Sequence, residues 1–400
     1  MQRSPRTISR HPRRSLAFVA ALCALLAAAL AAGRPLPQAA AATPPPPPVA
    51  AKAYVVMDQQ TGVVLAAKNE NERLPMASTT KIMTGLLVLE HFKNLDTVVA
   101  ARRDAIGVGE DEIYLARGER LTVDQLLQAL LIQSANDAAA DLADAVAGDQ
   151  ASFVALMNQR ARALGLTNTH YANPHGLDQA GHHTSALDLT RLARYALRDP
   201  RFAGYVDRYT ATIPWAHHSY RRVLVSHNEL LEDYPWVYGV KTGWTDGAGY
   251  CIAAAGLWRG HHIMVTLLGD PDDAHRLADA LKLFHWSASQ YAMRSVWSAG
   301  AVLARATVPW HVGKVSLVTA APLRLSLRKD ARITIRVEAP GTVGLPVRQG
   351  EPLGTARAFA DQRPIGTVRL VAAGSYTHVG LAGKVGYEVH SAWHWLTSHL

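Results

Sequence analysis

Ser78 and Lys81 lie three residues apart in Pro75-Met-Ala-Ser-Thr-Thr-Lys-Ile-Met-Thr84, where the sequence predicts the start of a helix. At that spacing both side chains share one helix face, so the amine can reach the hydroxyl. A serine hydroxyl is a poor nucleophile until an adjacent base takes its proton. Lysine can be that base only if burial or a neighbouring cation lowers its pKa. The plainer reading is a polar helix start with Ser78 as N-cap. Ser-x-x-Lys arises by chance roughly once per few hundred residues, so alone it decides little.

Two further short motifs follow in order, Ser134-Ala-Asn136 and Lys241-Thr242-Gly243. Ser134 supplies a hydroxyl that can relay a proton toward a leaving amine, and the Asn136 amide can hold a peptide carbonyl. Lys241 adds a second cation, which helps keep Lys81 neutral and attracts an anionic substrate. On an edge strand, Lys241-Thr-Gly lets a substrate add as a further strand, with Gly243 removing a side chain that would obstruct it. An oxyanion needs two donors, and the backbone amides of Ser78 and Trp244 are the natural pair.

The elements that must position these groups can be read from periodicity. Ala53 to Met57 and Val63 to Ala67 flank a turn ending on Gly62 and predict a β-hairpin. The nucleophile helix carries Ile82, Leu86 and Leu89 as its apolar stripe. Thr122 and Gln125 form a capping box before a helix ending near Ile132, just ahead of Ser134. More helices are expected across Ala138 to Val146, Ser152 to Leu164 and Ala186 to Leu197. Strands follow at Val223 to Val225, Val237 to Thr242, Gly249 to Ala255 and His262 to Leu268, then a helix from Asp273 to Trp286. The fold class is therefore α+β: one antiparallel sheet assembled from both ends of a domain over residues 53–290, with a helical insert. Short strands separated by glycine and proline turns predict a small all-β domain over 306–380. In 384–400, Val385, Val389, Ala392, Trp393, Leu396 and Leu400 recur at helical spacing. That stripe suits a membrane interface, or else packing on the β domain.

The chain has 400 residues, 49% of them hydrophobic, enough for two folded domains. Its net charge of +9 first suggests nucleic acid. Six arginines and no acid lie in residues 1–42, however, which leaves +3 and no basic patch to argue from. Residues 1–42 have an arginine-rich start, an apolar run from Leu16 to Ala32 and small residues from Ala39 to Ala42. They read as an export signal, and residues 43–52 as a proline-rich linker. Arg13-Arg14 leaves Sec and twin-arginine export both open. Of the two cysteines, Cys23 falls in the signal, so Cys251 has no partner for a disulfide after export.

The three motifs together are those of penicillin-binding proteins and serine β-lactamases. Tyr171-Ala-Asn-Pro-His-Gly-Leu-Asp178, His182-His-Thr-Ser-Ala-Leu-Asp188, Asn228-Glu-Leu-Leu231 and Val240-Lys-Thr-Gly-Trp-Thr-Asp-Gly-Ala-Gly-Tyr250 extend the likeness. On these blocks the chain from about Ala53 to Trp286 resembles the low-molecular-weight penicillin-binding proteins, the D-alanyl-D-alanine carboxypeptidases of the S11 serine peptidase class. Gln349 to Gly354 and Ile365 to Ala372 are similar to that family's C-terminal β domain, and the tail to its membrane-anchoring helix. The resemblance implies a peptidoglycan stem peptide ending in D-Ala-D-Ala as substrate, Ser78 acylated, β-lactams trapping the same serine, no cofactor, and a periplasmic location. It also implies that the substrate carboxylate meets Thr242 and Arg276, although Arg276 could equally be a surface helix residue. Ser226-His227 stands where the family has asparagine or a basic residue, and His227 has no assigned role.

Two rival readings remain open. A class A β-lactamase needs a deacylating glutamate, and no Glu-x-x-Leu-Asn block follows Asn136. A penicillin sensor or peptidoglycan-binding scaffold would share the motifs without turnover. The chain has 18 histidines, with pairs at His182-His183, His217-His218 and His261-His262, but lacks metal-ligand spacing. The paired histidines are expected to be solvated.

Overall fold

A computed structural model of the chain describes residues 44–311 and 314–398. The stretch expected to be an export signal, residues 1–42, lies outside them. After the prolines, packing begins at Val49 and Ala51, and Asp279 accepts a hydrogen bond from the Ala50 amide at 2.5 Å.

Strands β1 (Ala53–Asp58) and β2 (Val64–Lys68) form the expected hairpin. Two short ribbons decorate the helical insert, β3 (Val98–Ala100) with β4 (Arg120–Thr122) and β5 (Thr210–Ile213) with β6 (Arg222–Val225). The sheet is completed by β7 (Val237–Thr245), β8 (Gly249–Trp258) and β9 (His261–Asp270). Its order is β2-β1-β9-β8-β7, antiparallel throughout, with β7 at an edge. The first strand thus pairs with the last, and the helical insert leaves and returns between them.

Both faces of this sheet are covered, which is why its strands read as continuous apolar runs. Val55, Met57, Cys251, Ala253 and Met264 turn toward the helical insert. Tyr54, Val56, Ile252, Ala254 and Val265 turn the other way, onto helix Asp273–Ser287 through Leu283 and Phe284. The alternation is the two-residue period of a strand applied to two cores at once.

The insert follows its caps. In helix Val123–Gln128 the Thr122 and Gln125 side chains each bond the other's backbone amide. Ser185 caps helix Ala186–Ala196, and Gly165 adopts φ +70° just after helix Gln150–Ala163. One feature was not visible in the sequence: after Gln128 the helix widens into a π turn over Ala129–Gln133 and ends on Ser134 in a left-handed conformation, φ 72°.

The C-terminal all-β region begins ahead of Ala306. Strand β10 (Tyr291–Trp297) follows helix Asp273–Ser287 almost directly and pairs with β13 (Leu323–Arg328). The second sheet contains β11 (Val302–Thr307), β12 (Lys314–Thr319), β14 (Ile333–Glu338), β15 (Pro352–Ala360) and β16 (Arg363–Ala372), in the order β11-β12-β16-β15-β14. The C-terminal helix spans Leu381–Ser398. Tyr387 and Lys384 meet Trp310, whereas Val385, Val389, Trp393 and Leu396 are exposed, so the apolar stripe does not pack on the β domain. Among the described residues no helix is long and apolar enough to cross a membrane.

Candidate active site

Ser78 lies in a 3-10 turn, Ala77–Thr80, that runs straight into helix Lys81–His91. Its hydroxyl caps nothing, which sets aside the N-cap reading. Lys81 is completely buried, and its Nζ is 2.7 Å from Ser78 Oγ, 2.6 Å from Asn136 Oδ1 and 2.6 Å from the His175 carbonyl. Two of these partners can only accept, while the third is a hydroxyl that can donate. A neutral amine satisfies all three, with two hydrogens for the acceptors and its lone pair facing the Ser78 proton. Burial, reinforced by the Lys241 cation, holds the Lys81 amine well below its ordinary range, against the opposing charges of Asp111, Glu110 and Asp137.

Asn136 opens helix Asn136–Ala147, so its amide and the nucleophile helix meet inside the core. One amide hydrogen is given to the Gly109 carbonyl, at 2.8 Å, leaving the second for a ligand. The expected carbonyl-holding role is thus joined by another, tethering Lys81. Buried Asp137 accepts from the amides of Ile113 and Leu115 and fixes the loop that brings Glu110 and Asp111 to the cleft. The left-handed turn places Ser134 on the cleft wall, where its Oγ is buried and has no hydrogen-bond partner.

On the opposite wall, Lys241 is buried and donates to the Thr242 carbonyl at 2.9 Å. Burial brings its amine down to about 7, with Asp111 acting in the opposite direction and Arg276 in the same one. Thr242, Gly243 and the half-exposed Trp244 line the same cleft, whose volume is about 610 Å³. The structure shows a reason for Gly243 beyond the expected one: a Cβ there would lie 2.7 Å from the Ser78 amide nitrogen, so the glycine admits the close approach of the Ser78 turn.

A loop that the motifs did not include completes the site. Pro174 and His175 offer their carbonyls to Thr84 Oγ1 and Lys81 Nζ, at 2.6 Å each. Gly176 follows at φ +103°, where a Cβ would collide with the Ala77 carbonyl at 2.1 Å. The signal in the sequence was Asn173-Pro-His-Gly, but the working atoms are backbone oxygens. His182 corrects another expectation, because it is buried rather than solvated. Its Nδ1 accepts from the Ala172 amide, so Nε2 carries the proton and donates to Thr80 Oγ1 at 2.7 Å; Thr80 in turn donates to the Ala77 carbonyl. Burial lowers its pKa to about 4, so the ring stays neutral in this bridge. His261 and His262 are half-buried, and His217 and His218 are exposed. Among the described residues no group of three or more His, Cys, Asp or Glu side chains could hold a metal ion.

Arg276 is buried on the cleft lining, not a surface helix residue. It pairs with Asp273, donates to the His227 carbonyl at 3.2 Å and lies over the Tyr250 ring, while its Nε has no partner. The His227 ring stands 3.5 Å from Asp111 across the mouth of the cleft.

The sequence family described as D-alanyl-D-alanine carboxypeptidase, Peptidase_S11, matches residues 39–271. The chain is 32% identical to D-alanyl-D-alanine carboxypeptidase DacF of Bacillus subtilis over 76% of its own length and 80% of the relative's. It is 34% identical to DacD of Escherichia coli, over 60% of this chain and 63% of that one. Penicillin-binding protein 5 of Haemophilus influenzae superposes with a TM-score of 0.61 at 25% identity, covering 84% of this chain and 100% of that structure.

The contact between β7 and the nucleophile turn can be tested directly. Gly243→Ala is expected to slow acylation of Ser78 by a fluorescent penicillin about 100-fold, the scale of losing one oxyanion donor, with the circular dichroism spectrum retained. Unchanged labelling would show that the close approach is irrelevant to the serine's reactivity.

Proposed function

The chain belongs to the D-alanyl-D-alanine carboxypeptidase family, and on that premise we propose how its residues divide the work of a serine-type D-Ala-D-Ala carboxypeptidase. The observation that carries the assignment is the buried Lys81 amine, 2.7 Å from Ser78 Oγ. Lys81 takes the Ser78 proton as Oγ attacks the carbonyl of the penultimate D-alanine. The amides of Ser78 and Trp244 receive the developing oxyanion. The carbon–nitrogen bond breaks, the leaving amine takes a proton by way of Ser134, and free D-alanine departs. Lys81 then removes a proton from water, whose oxygen attacks the ester and releases Ser78.

Asn136 holds the peptide carbonyl with its remaining amide hydrogen, and β7 offers its open edge to the substrate backbone. Lys241, Thr242 and Arg276 attract the terminal carboxylate, with the unpartnered Arg276 Nε supporting that role. β-Lactams present a strained amide to the same hydroxyl and leave an acyl-serine. We assign the substrate to peptidoglycan stem peptides and the enzyme to the periplasm. Its C-terminal helix would attach to the membrane surface through the exposed Val389 and Trp393 stripe.

Release of D-alanine from a peptide ending in D-Ala-D-Ala should vanish in Ser78→Ala. Lys81→Arg should abolish both that release and the recovery of penicillin-acylated enzyme, because guanidinium cannot serve as the base; persistent turnover in Lys81→Arg would exclude the dual role. The acylation rate should also depend on pH with a defined sign. Lys81 must be neutral, so the rate falls as pH drops through its pKa. The Lys241 cation depresses that pKa, so Lys241→Gln should move the acidic limb to higher pH, and an unmoved or lowered limb would contradict the coupling. For the helix, Val389→Glu with Trp393→Glu should abolish co-sedimentation of the enzyme with anionic vesicles. If the unsubstituted enzyme stays in the supernatant, the surface attachment is wrong.

A further inference from the structure

Beside the cleft the helical insert displays a group of aromatic side chains that the catalytic steps do not use. On the turn between β5 and β6, Trp215, His218 and Tyr220 pack on one another. Their ring centroids are 4.4 Å apart for Trp215–His218, 5.5 Å for Trp215–Tyr220 and 4.9 Å for His218–Tyr220. Tyr220 is nonetheless 59% exposed, and Tyr114 on a neighbouring loop is 70% exposed. Exposed rings gathered in one place mark a surface that meets something else.

The backbone beneath these rings is rigidly held. Buried Arg222 forms a two-pronged pair with buried Glu119, at 2.6 and 2.9 Å. The same guanidinium donates to the carbonyls of Pro214 and Tyr114, at 3.0 and 3.1 Å, and lies 5.1 Å from the centre of the Trp215 ring. Glu119 also accepts from the Ala216 amide at 3.2 Å. One buried ion pair thus fixes the chain on both sides of the patch. Tyr114 adopts φ 55°, a costly conformation for a bulky residue, while Asp137 accepts from the amides of Ile113 and Leu115 on either side of it. Rings presented on a fixed backbone lose little entropy when a ligand covers them.

Both elements that carry the rings also carry the cleft wall. The loop before Tyr114 lines the cleft through Glu110 and Asp111, and β6 runs from Arg222 to Val225, which lines it with Ser226 and His227. The Val225 amide donates to Gln133 Oε1 at 3.0 Å, next to Ser134. Asp111 to Tyr114 spans at most roughly 10 Å of chain, and Val225 to Tyr220 at most roughly 17 Å. In a pentapeptide stem, three residues separate the acylated D-alanine from the sugar that bears the stem, again roughly 10 Å when extended. That sugar therefore arrives within reach of the rings. Its faces present C–H groups edged by hydroxyls, a match for tryptophan and tyrosine rings with an apolar body and a polar tip.

We propose that Tyr114, Trp215, His218 and Tyr220 form a platform for the glycan of the substrate, so that the enzyme favours stem peptides still attached to their N-acetylhexosamine chain. The inference rests on the carboxypeptidase reading of Ser78. Chemistry stays in the cleft, and the platform gives a second hold on the same molecule.

The test compares D-alanine release from a disaccharide-linked pentapeptide with release from the same pentapeptide free. The expected kcat/KM ratio is about tenfold in favour of the sugar-bearing substrate, the scale of one good ring contact. It should survive high ionic strength, because no ion pair carries it; loss there would assign the preference to charge and overturn the platform. Tyr114→Asn with Tyr220→Ala should bring the ratio close to one. Asparagine tolerates the φ of position 114, and Trp215 is left in place because it lies over Arg222. A ratio is insensitive to the amount of folded enzyme, so a partly unfolded variant still reports. A ratio of one in the unsubstituted enzyme overturns the proposal, as does a preference that survives both substitutions. So does a dimer, seen by sedimentation, that those substitutions dissociate, since a second copy would then cover the rings. If neither substrate is hydrolysed, it is the carboxypeptidase reading that fails. The sugar preference is then read, by the same criteria, from the concentrations at which each substrate halves Ser78 labelling by fluorescent penicillin.

Discussion

An amine sealed in a protein interior has to be neutral or heavily compensated, and the catalytic region is arranged around Lys81 under that constraint. Removing such a group from water disfavours its charged form by several kcal/mol. The site supplies two obligatory acceptors and one hydroxyl, the set that a neutral amine can satisfy completely. The acceptors come from separate parts of the helical insert, Asn136 from the start of helix Asn136–Ala147 and the His175 carbonyl from the loop between helices Gln150–Ala163 and Ala186–Ala196. The buried amine therefore gains its acceptors only when the insert has packed onto helix Lys81–His91.

The nucleophile turn is located by backbone more than by side chains. Two glycines press on it from different directions, Gly243 against the Ser78 amide and Gly176 against the Ala77 carbonyl. The Thr80–His182 bridge anchors the next residues of the turn. These contacts leave the serine little freedom to retreat from the amine, and such near-attack positioning makes up a large share of what an enzyme supplies.

How much of this could be read beforehand depended on where the information resided. Ser78, Lys81, Asn136 and Lys241 were legible as candidates because the motifs consist of their side chains, and the structure brings the first three into hydrogen-bond contact; the edge position of β7 was assumed for the Lys241-Thr-Gly motif and is where the sheet order places it. The His175 carbonyl was not, since a backbone oxygen has no residue signature. The π turn before Ser134 was invisible for a similar reason: Ala129 to Gln133 continue an ordinary apolar helix pattern, and only the hydrogen-bond spacing changes. His182 looked solvated because a histidine pair suggests opposite exposed faces; its burial depends on Thr80, a hundred residues away in the chain. Strand β10 was missed because its alternation is weak and it begins immediately after a helix.

The pairing of β1 with β9 has a consequence for how the molecule comes into being. The first strand among the described residues, β1, occupies an interior position in the sheet, and its neighbour β9 ends at Asp270. A chain emerging from its N-terminus cannot close this sheet until more than half of its length is out. Until then β1 and β2 exist at most as an isolated hairpin, which is marginal in water. Assembly of the catalytic centre is thus a late and largely all-at-once event, with loop closure over some two hundred residues as its entropic toll. A partly delivered chain would hold Ser78 without the strand that Gly243 brings to it, and a reactive serine would not appear before the rest of its surroundings.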